Sequence, residues 1–489
     1  EILRKYAKNK NIVIDSIKIN IFNSFAYLFL INIKRYLKVI KHLFKSKKNK
    51  FQESYFSESI IVENSLVINK PSEFMNDSAL KKENCFMITR YENFPESVIQ
   101  DTLDAGYKYF DLRDYDLNKL YFHNFKSLKS NYIENYFLNN ILYNYYKEKD
   151  IWTSIFSRLK CKTFLNANFM DVNSIASASA LNDLNGMSIF YPISYYEYAN
   201  PQTRTICDIY VTPGINTVHN INNNLDKISE IFPIGYANTY LSKYKKTNSI
   251  KIKKQLSINN VKKIIAFYDQ GEVSDDMFHM GYASSLEGYK FLFNKVLENE
   301  WLALIIKPKK PGLLNFKLSN IKDLVDKVLE TGRLYIVSEN SKKHVKNFDN
   351  PPCQSAMAAD LAIHDTMVSA TAGIEAYLSG TRTVFFDRYN FKVSRFYKNK
   401  SPIVFNDWEK LWINAQKFFE GNYEQFGIWD DNLLNQIDNF KDNEADKRLA
   451  FLTQNIFENI SKLDKSDVLS KSKEEYYNYC SLNYNKNLS

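Results

Sequence analysis

Glycine is scarce, at 13 of 489 residues. The chain has no GxGxxG and no GxxxxGK followed by Ser or Thr. Both motifs use glycines to bring backbone N–H groups onto a phosphate, so the usual dinucleotide turn and the P-loop are excluded. HExxH and GxSxG are missing as well, which removes the signatures of zinc peptidases and α/β-hydrolases. Cysteine is sparse: Cys85, Cys161, Cys207, Cys353 and Cys480 are scattered, odd in number and never spaced CxxC. A disulfide framework or a structural zinc site does not fit that pattern, and a reducing cytoplasm does. No apolar run near the start ends in a small-residue cleavage site, so no signal peptide is expected, although the chain begins at Glu1 rather than Met.

Excess charge is also missing from most of the chain. The formal net charge is +10, but residues 1–50 hold 13 Lys/Arg against 2 Asp/Glu, leaving 52 against 53 for the other 439 residues. A near-neutral body argues against a nucleic-acid partner. Apolar residues at 45% and charged residues at 25% exclude wholesale disorder. The length calls for two domains rather than one core. Aromatics reach 15% beside abundant Lys, Asn and Ile, a mixture that follows AT-rich codons rather than a base-stacking surface.

The basic end has a pattern of its own. Residues 19–33 are apolar but broken by Asn20, Asn23 and Asn32, too short and too polar for a membrane span of about 20 residues. In 33–45 the apolar residues Ile33, Tyr36, Leu37, Ile40, Leu43 and Phe44 fall on one helical stripe. Lys34, Arg35, Lys38, Lys41, His42 and Lys45 occupy the opposite face. Such a helix suits an anionic membrane surface, where each basic group contributes about 1 kcal/mol. The other reading is a helix packed on the body with a solvated lysine face.

From about residue 60 the chain alternates short apolar runs with helical patterns, the signature of an α/β protein with parallel sheets. The expected division is a basic amphipathic segment 1–50, a Rossmann-like half 51–240, a polar lysine-rich linker 241–260, a second Rossmann-like half 261–405 and helices 406–489. Two such halves facing a cleft, with helices crossing back at the end, describe the GT-B architecture. Ligands of open sheets bind outside the carboxyl ends of the strands.

The stretch AADLAIHDTMVSATAGIEAYLSGTRTVFFD, 358–387, carries the most chemistry. A strand at Leu361–Ile363 delivers Ser369 and Thr371 to a helix expected to open at Gly373. Hydroxyls and free N–H groups at a helix start form an anion site. Glu375, one turn in, is placed to accept from ribose hydroxyls. A plain β–α–β unit with Ser/Thr capping is the alternative.

This stretch resembles the donor-binding segment of bacterial GT-B glycosyltransferases that build capsule and lipopolysaccharide, including Kdo-type transferases using CMP-sugars. Related segments occur in UDP-sugar enzymes and UDP-GlcNAc 2-epimerases. The strand Leu302–Ile306 followed by Lys307-Pro308-Lys309, and Ala266–Asp269, are similar too. The resemblance implies a nucleotide-sugar donor as co-substrate, with no separate cofactor and no metal. Ser369, Thr371 and Gly373 would meet its phosphate, Glu375 its ribose, and Lys307 and Lys309 would neutralise the leaving phosphate. His279 and Arg333 are further basic candidates. Catalysis would need a base or nucleophile from the first half. Asp171, Glu197 and His219 each follow an expected strand there. The expected partners are the donor, a glycan or lipid-linked acceptor and an anionic membrane, with the chain peripheral at the inner membrane face. A sugar-nucleotide epimerase, a teichoic-acid type polyol-phosphate transferase and a non-catalytic membrane scaffold are the rivals.

Overall fold

The computed structural model describes residues 57–63, 71–89, 96–111, 132–167, 172–192, 205–214, 227–257, 260–269, 282–337, 350–367 and 370–484. The basic helix expected at 33–45 lies outside them. The first half runs β1 (Ser59–Glu63), β2 (Cys85–Thr89), α1 (Glu96–Asp104), β3 (Lys108–Asp111), α2 (Tyr132–Arg158), β4 (Cys161–Asn166), α3 (Val172–Asp183), β5 (Met187–Phe190), β6 (Ile206–Thr212) and β7 (Lys227–Pro233). Its seven strands are ordered β3-β2-β1-β4-β5-β6-β7, and each neighbouring pair is parallel. Strands such as SIIVE and MSIF are buried along their whole length. Continuous apolar runs of this kind are what a sheet covered on both faces requires. α2 and α3 cover one face, where Trp152, Ile155, Phe156 and Phe164 pack together.

Next come α4 (Leu241–Leu256), β8 (Lys263–Tyr268), α5 (Tyr282–Glu298), β9 (Leu302–Lys307), α6 (Leu314–Leu318), α7 (Lys322–Glu330), β10 (Leu334–Ile336), α8 (Pro352–Met357), β11 (Leu361–His364), α9 (Thr371–Leu378), β12 (Arg382–Phe386) and β13 (Val404–Phe405). The second sheet is ordered β10-β9-β8-β11-β12-β13, again parallel throughout. Both sheets reverse their strand order beside the first strand, and that crevice is where open α/β sheets bind ligands.

The stretch 241–260, expected as a linker, is helical over most of its length. Two of its apolar residues, Ile252 and Leu256, join the core of the second half. Lys245 is buried and pairs with Glu73 of the first half at 3.4 Å. Four helices finish the chain: α10 (Trp408–Phe419), α11 (Asp431–Ile437), α12 (Ala445–Ile460) and α13 (Lys465–Tyr484). Asp407 and Asp430 cap α10 and α11 by accepting from Lys410 N at 2.8 Å and Leu433 N at 2.9 Å. α12 and α13 cross back onto the first half. Leu449, Leu452, Ile456, Val468, Tyr476 and Cys480 share one core with residues of β1, β4 and β7. Arg448 fastens this return: it donates to Ile234 O at 2.7 Å and grips Asp442 with two nitrogens at 2.7 and 2.8 Å. All five cysteines are buried and none forms a disulfide. Among the described residues no helix is long and apolar enough to cross a membrane.

Candidate functional site

The second half gathers its polar side chains at the carboxyl ends of β8, β9 and β11. Asp269 follows β8 and is buried. It accepts from Lys317 Nζ at 2.6 Å, Tyr289 OH at 2.7 Å and the Lys309 backbone N–H at 2.8 Å. Burial pushes its carboxyl up, but the Lys317 charge and these hydrogen bonds outweigh it and hold the group below its ordinary range. Asp365 follows β11. Burial, reinforced by the Asp269 charge, pushes it up to about 7. Ser285 Oγ donates to its Oδ2 at 2.6 Å, and Oδ1 has no hydrogen-bond partner. His364 is buried against Thr366 O at 2.7 Å, and burial pulls its imidazole down to about 4.

Glu375 lies in the first turn and a half of α9 and is 6% exposed. Burial lifts its carboxyl to about 7, against the opposing effects of Asn238 and Lys307. Asn238 Nδ2 donates to its Oε1 at 3.0 Å, while Oε2 has no hydrogen-bond partner. Lys307 ends β9, opposite Tyr268 in register, and is buried; its Nζ donates to Pro308 O at 3.3 Å. Lys309 is exposed. Thr371 opens α9, two residues before the helix start expected at Gly373. Gly373 sits inside the helix, where an added Cβ would come within 2.6 Å of Phe385 Cε1 and 3.3 Å of His364 Cβ. Its role in the fold is therefore to let α9 press onto the sheet.

Arg333 departs from the sequence expectation. Its Nη1 donates to the carbonyls of Val296 at 2.6 Å, Asn299 at 2.6 Å and Leu302 at 3.1 Å. That ties down the end of α5 and leaves the guanidinium committed to the fold. Asp171, Glu197, His219, Ser369 and His279 lie outside the described residues. In the first half, a small open pocket lies beyond β6 and β7, lined by Pro192, Val211, Thr212, Pro213, Gly235 and Tyr236 among others. Among the described residues no group of three or more His, Cys, Asp or Glu could hold a metal ion.

Sequence reasoning missed Asn238 and Asp365. Asn238 sits in a polar stretch with no motif, and its use depends on a fold that brings it beside a residue 137 positions away. Asp365 was visible in the sequence as an acid just beyond the strand expected at Leu361–Ile363.

No family model matches the chain, and no curated protein matches it. Solved structures do. A protein described as a candidate UDP-N-acetylglucosamine 2-epimerase from Listeria monocytogenes superposes with TM-score 0.51 at 12% identity, covering 83% of this chain and 97% of that one. The complex of MnaA with UDP from S. aureus superposes with TM-score 0.50 at 12% identity, covering 83% and 98%. The fold is GT-B. The order of the two sheets and the return of α12 and α13 onto the first half agree with that likeness, as did the alternation read from the sequence.

Proposed function

We propose that the chain is a glycosyltransferase that moves a sugar from a nucleotide-linked donor, CMP- or UDP-linked, to a growing surface glycan or lipid-linked acceptor. The observation that carries this reading is Glu375, a buried carboxyl beside the carboxyl end of β11 with one oxygen unsatisfied. An unmade hydrogen bond on a buried group costs about 1–3 kcal/mol, and a ribose hydroxyl would recover it. The UDP held by the S. aureus protein of the same fold is consistent with a nucleotide site.

In this reading Ser369 and Thr371, with the N–H groups opening α9, take the donor phosphate. Lys307 and Lys309 offset the charge on the departing nucleotide phosphate, so the bond to the sugar breaks toward a stabilised anion. A base from the first half, Asp171, Glu197 or His219, removes the proton of the acceptor hydroxyl as it attacks the sugar carbon. No metal is assigned a role. The lysine face of 33–45 would hold the chain at an anionic membrane, close to a lipid-linked acceptor.

Glu375→Ala should weaken nucleotide binding at least tenfold in calorimetry while thermal unfolding remains cooperative. Unchanged affinity for CMP, UDP and their sugar conjugates would sink the assignment. The Listeria protein's description favours one second reading, a sugar-nucleotide epimerase. Incubation with donor alone separates the two, since an epimerase yields an isomeric sugar nucleotide without acceptor.

A further inference from the structure

Asn238 belongs to the first half by sequence, in the crossing segment 234–240 between β7 and α4, yet its side chain reaches into the second. Its amide donates to Glu375 Oε1 at 3.0 Å. Tyr236, two residues earlier, packs with Ala370 and Ile374 around the start of α9. The segment turns just after it, with Thr239 N and Thr239 Oγ1 donating to Tyr236 O at 3.1 and 2.9 Å. Asn238 is therefore presented by a turn in which Tyr236 is buried beside the start of α9, while Tyr240 on its other side joins the core of the first half.

A carboxylate has about four lone-pair sites and rotates about its last bond unless something holds it. Here the amide engages Oε1, and Oε2 is left buried without a hydrogen-bond partner. Groups held this way give precise recognition because their orientation is settled before the ligand arrives.

We infer that Asn238 is a positioning residue for nucleotide recognition: it fixes the Glu375 carboxyl through Oε1 so that Oε2 is the oxygen that receives a ribose hydroxyl. This rests on the reading of Glu375 as the ribose contact. The ribose contact is then shared between the halves of the molecule, and nucleotide binding depends on how they are placed. Asn238 carries no net charge, and its amide hydrogen bond both orients the carboxyl and favours its charged form.

The test is calorimetry on the full chain with UDP and CMP, and with the 2′,3′-dideoxy form of whichever binds. Asn238→Ala should lose about tenfold in affinity for the ribonucleotide and almost nothing for the dideoxy form. Glu375→Ala should show the same selectivity, and the double variant should bind no more weakly than Glu375→Ala alone, because both changes act on one contact. Asn238→Leu keeps the volume, removes the donor and carries the same expectation if the alanine variant does not fold. Wild-type affinity in the Asn238 variants, or equal losses for both forms of the nucleotide, overturns the inference while leaving Glu375 as the ribose contact. Failure of Glu375→Ala to discriminate the two forms, or no binding of UDP or CMP by the wild type, overturns the ribose reading and the inference with it.

Discussion

At the scale of single residues, burial decides the chemistry. Glu375 and Asp365 are both held near 7, above ordinary values of 4.5 and 3.8, because desolvation penalises their charged forms. The folded chain therefore keeps protons that the unfolded chain has already released. Stability from these groups is fully present below the unfolded values and is lost as pH rises through about 7. Glu375→Gln removes one such group. Its urea-unfolding free energy should gain on the wild type by roughly 1–3 kcal/mol between pH 4 and pH 8. Parallel curves for the two proteins would show that the carboxyl is not held protonated. Asp269 illustrates the opposite balance. It is as deeply buried, yet Lys317 at 2.6 Å keeps it charged. The alternation pattern placed Asp269 after its strand, whereas nothing in the pattern told which acid would find a lysine.

At the scale of elements, close approach matters more than propensity. α9 sits so near β11 and β12 that Gly373 has no room for a side chain. Gly373→Ala should cost about 1–3 kcal/mol by overpacking against Phe385, read as a fall in the urea midpoint, and Phe385→Leu should restore part of it. An unchanged midpoint would mean that the helix shifts freely. Gly235 meets a different demand, with φ at +91° and Arg448 Nη2 2.9 Å from where a Cβ would stand. Only glycine takes that backbone form easily. The helix at Leu241–Leu256 was hidden in the sequence because most of its residues are polar. Its helical form becomes intelligible only once α8 and the second core are beside it.

At the scale of the whole molecule, charge is unevenly spread along the chain. The near-neutral body carries the GT-B fold, and the surplus of positive charge sits in residues 1–50. Deleting those residues should abolish sedimentation with anionic liposomes, an effect suppressed by high salt in the full chain, and should leave nucleotide affinity unchanged. Equal liposome binding by the shortened chain would return those lysines to a solvated face. The chain path meanwhile makes the first half depend on the last residues: α12 and α13 supply Leu452, Ile456, Val468 and Tyr476 to its core.

What the sequence determined by itself was local and periodic. Apolar runs such as KIIAFY and LALIIK specify buried parallel strands, and the residues just after them mark the strand ends where ligands bind. Strand Lys108–Asp111 escaped that reading because it lies at the sheet edge, where its residues are only partly buried. Glu375 was legible as an acid early in a helix. Its burial, its raised affinity for a proton and its hydrogen bond to Asn238 were not. Those follow from solvent exclusion and from contacts between segments far apart in the chain, which only the tertiary structure brings together.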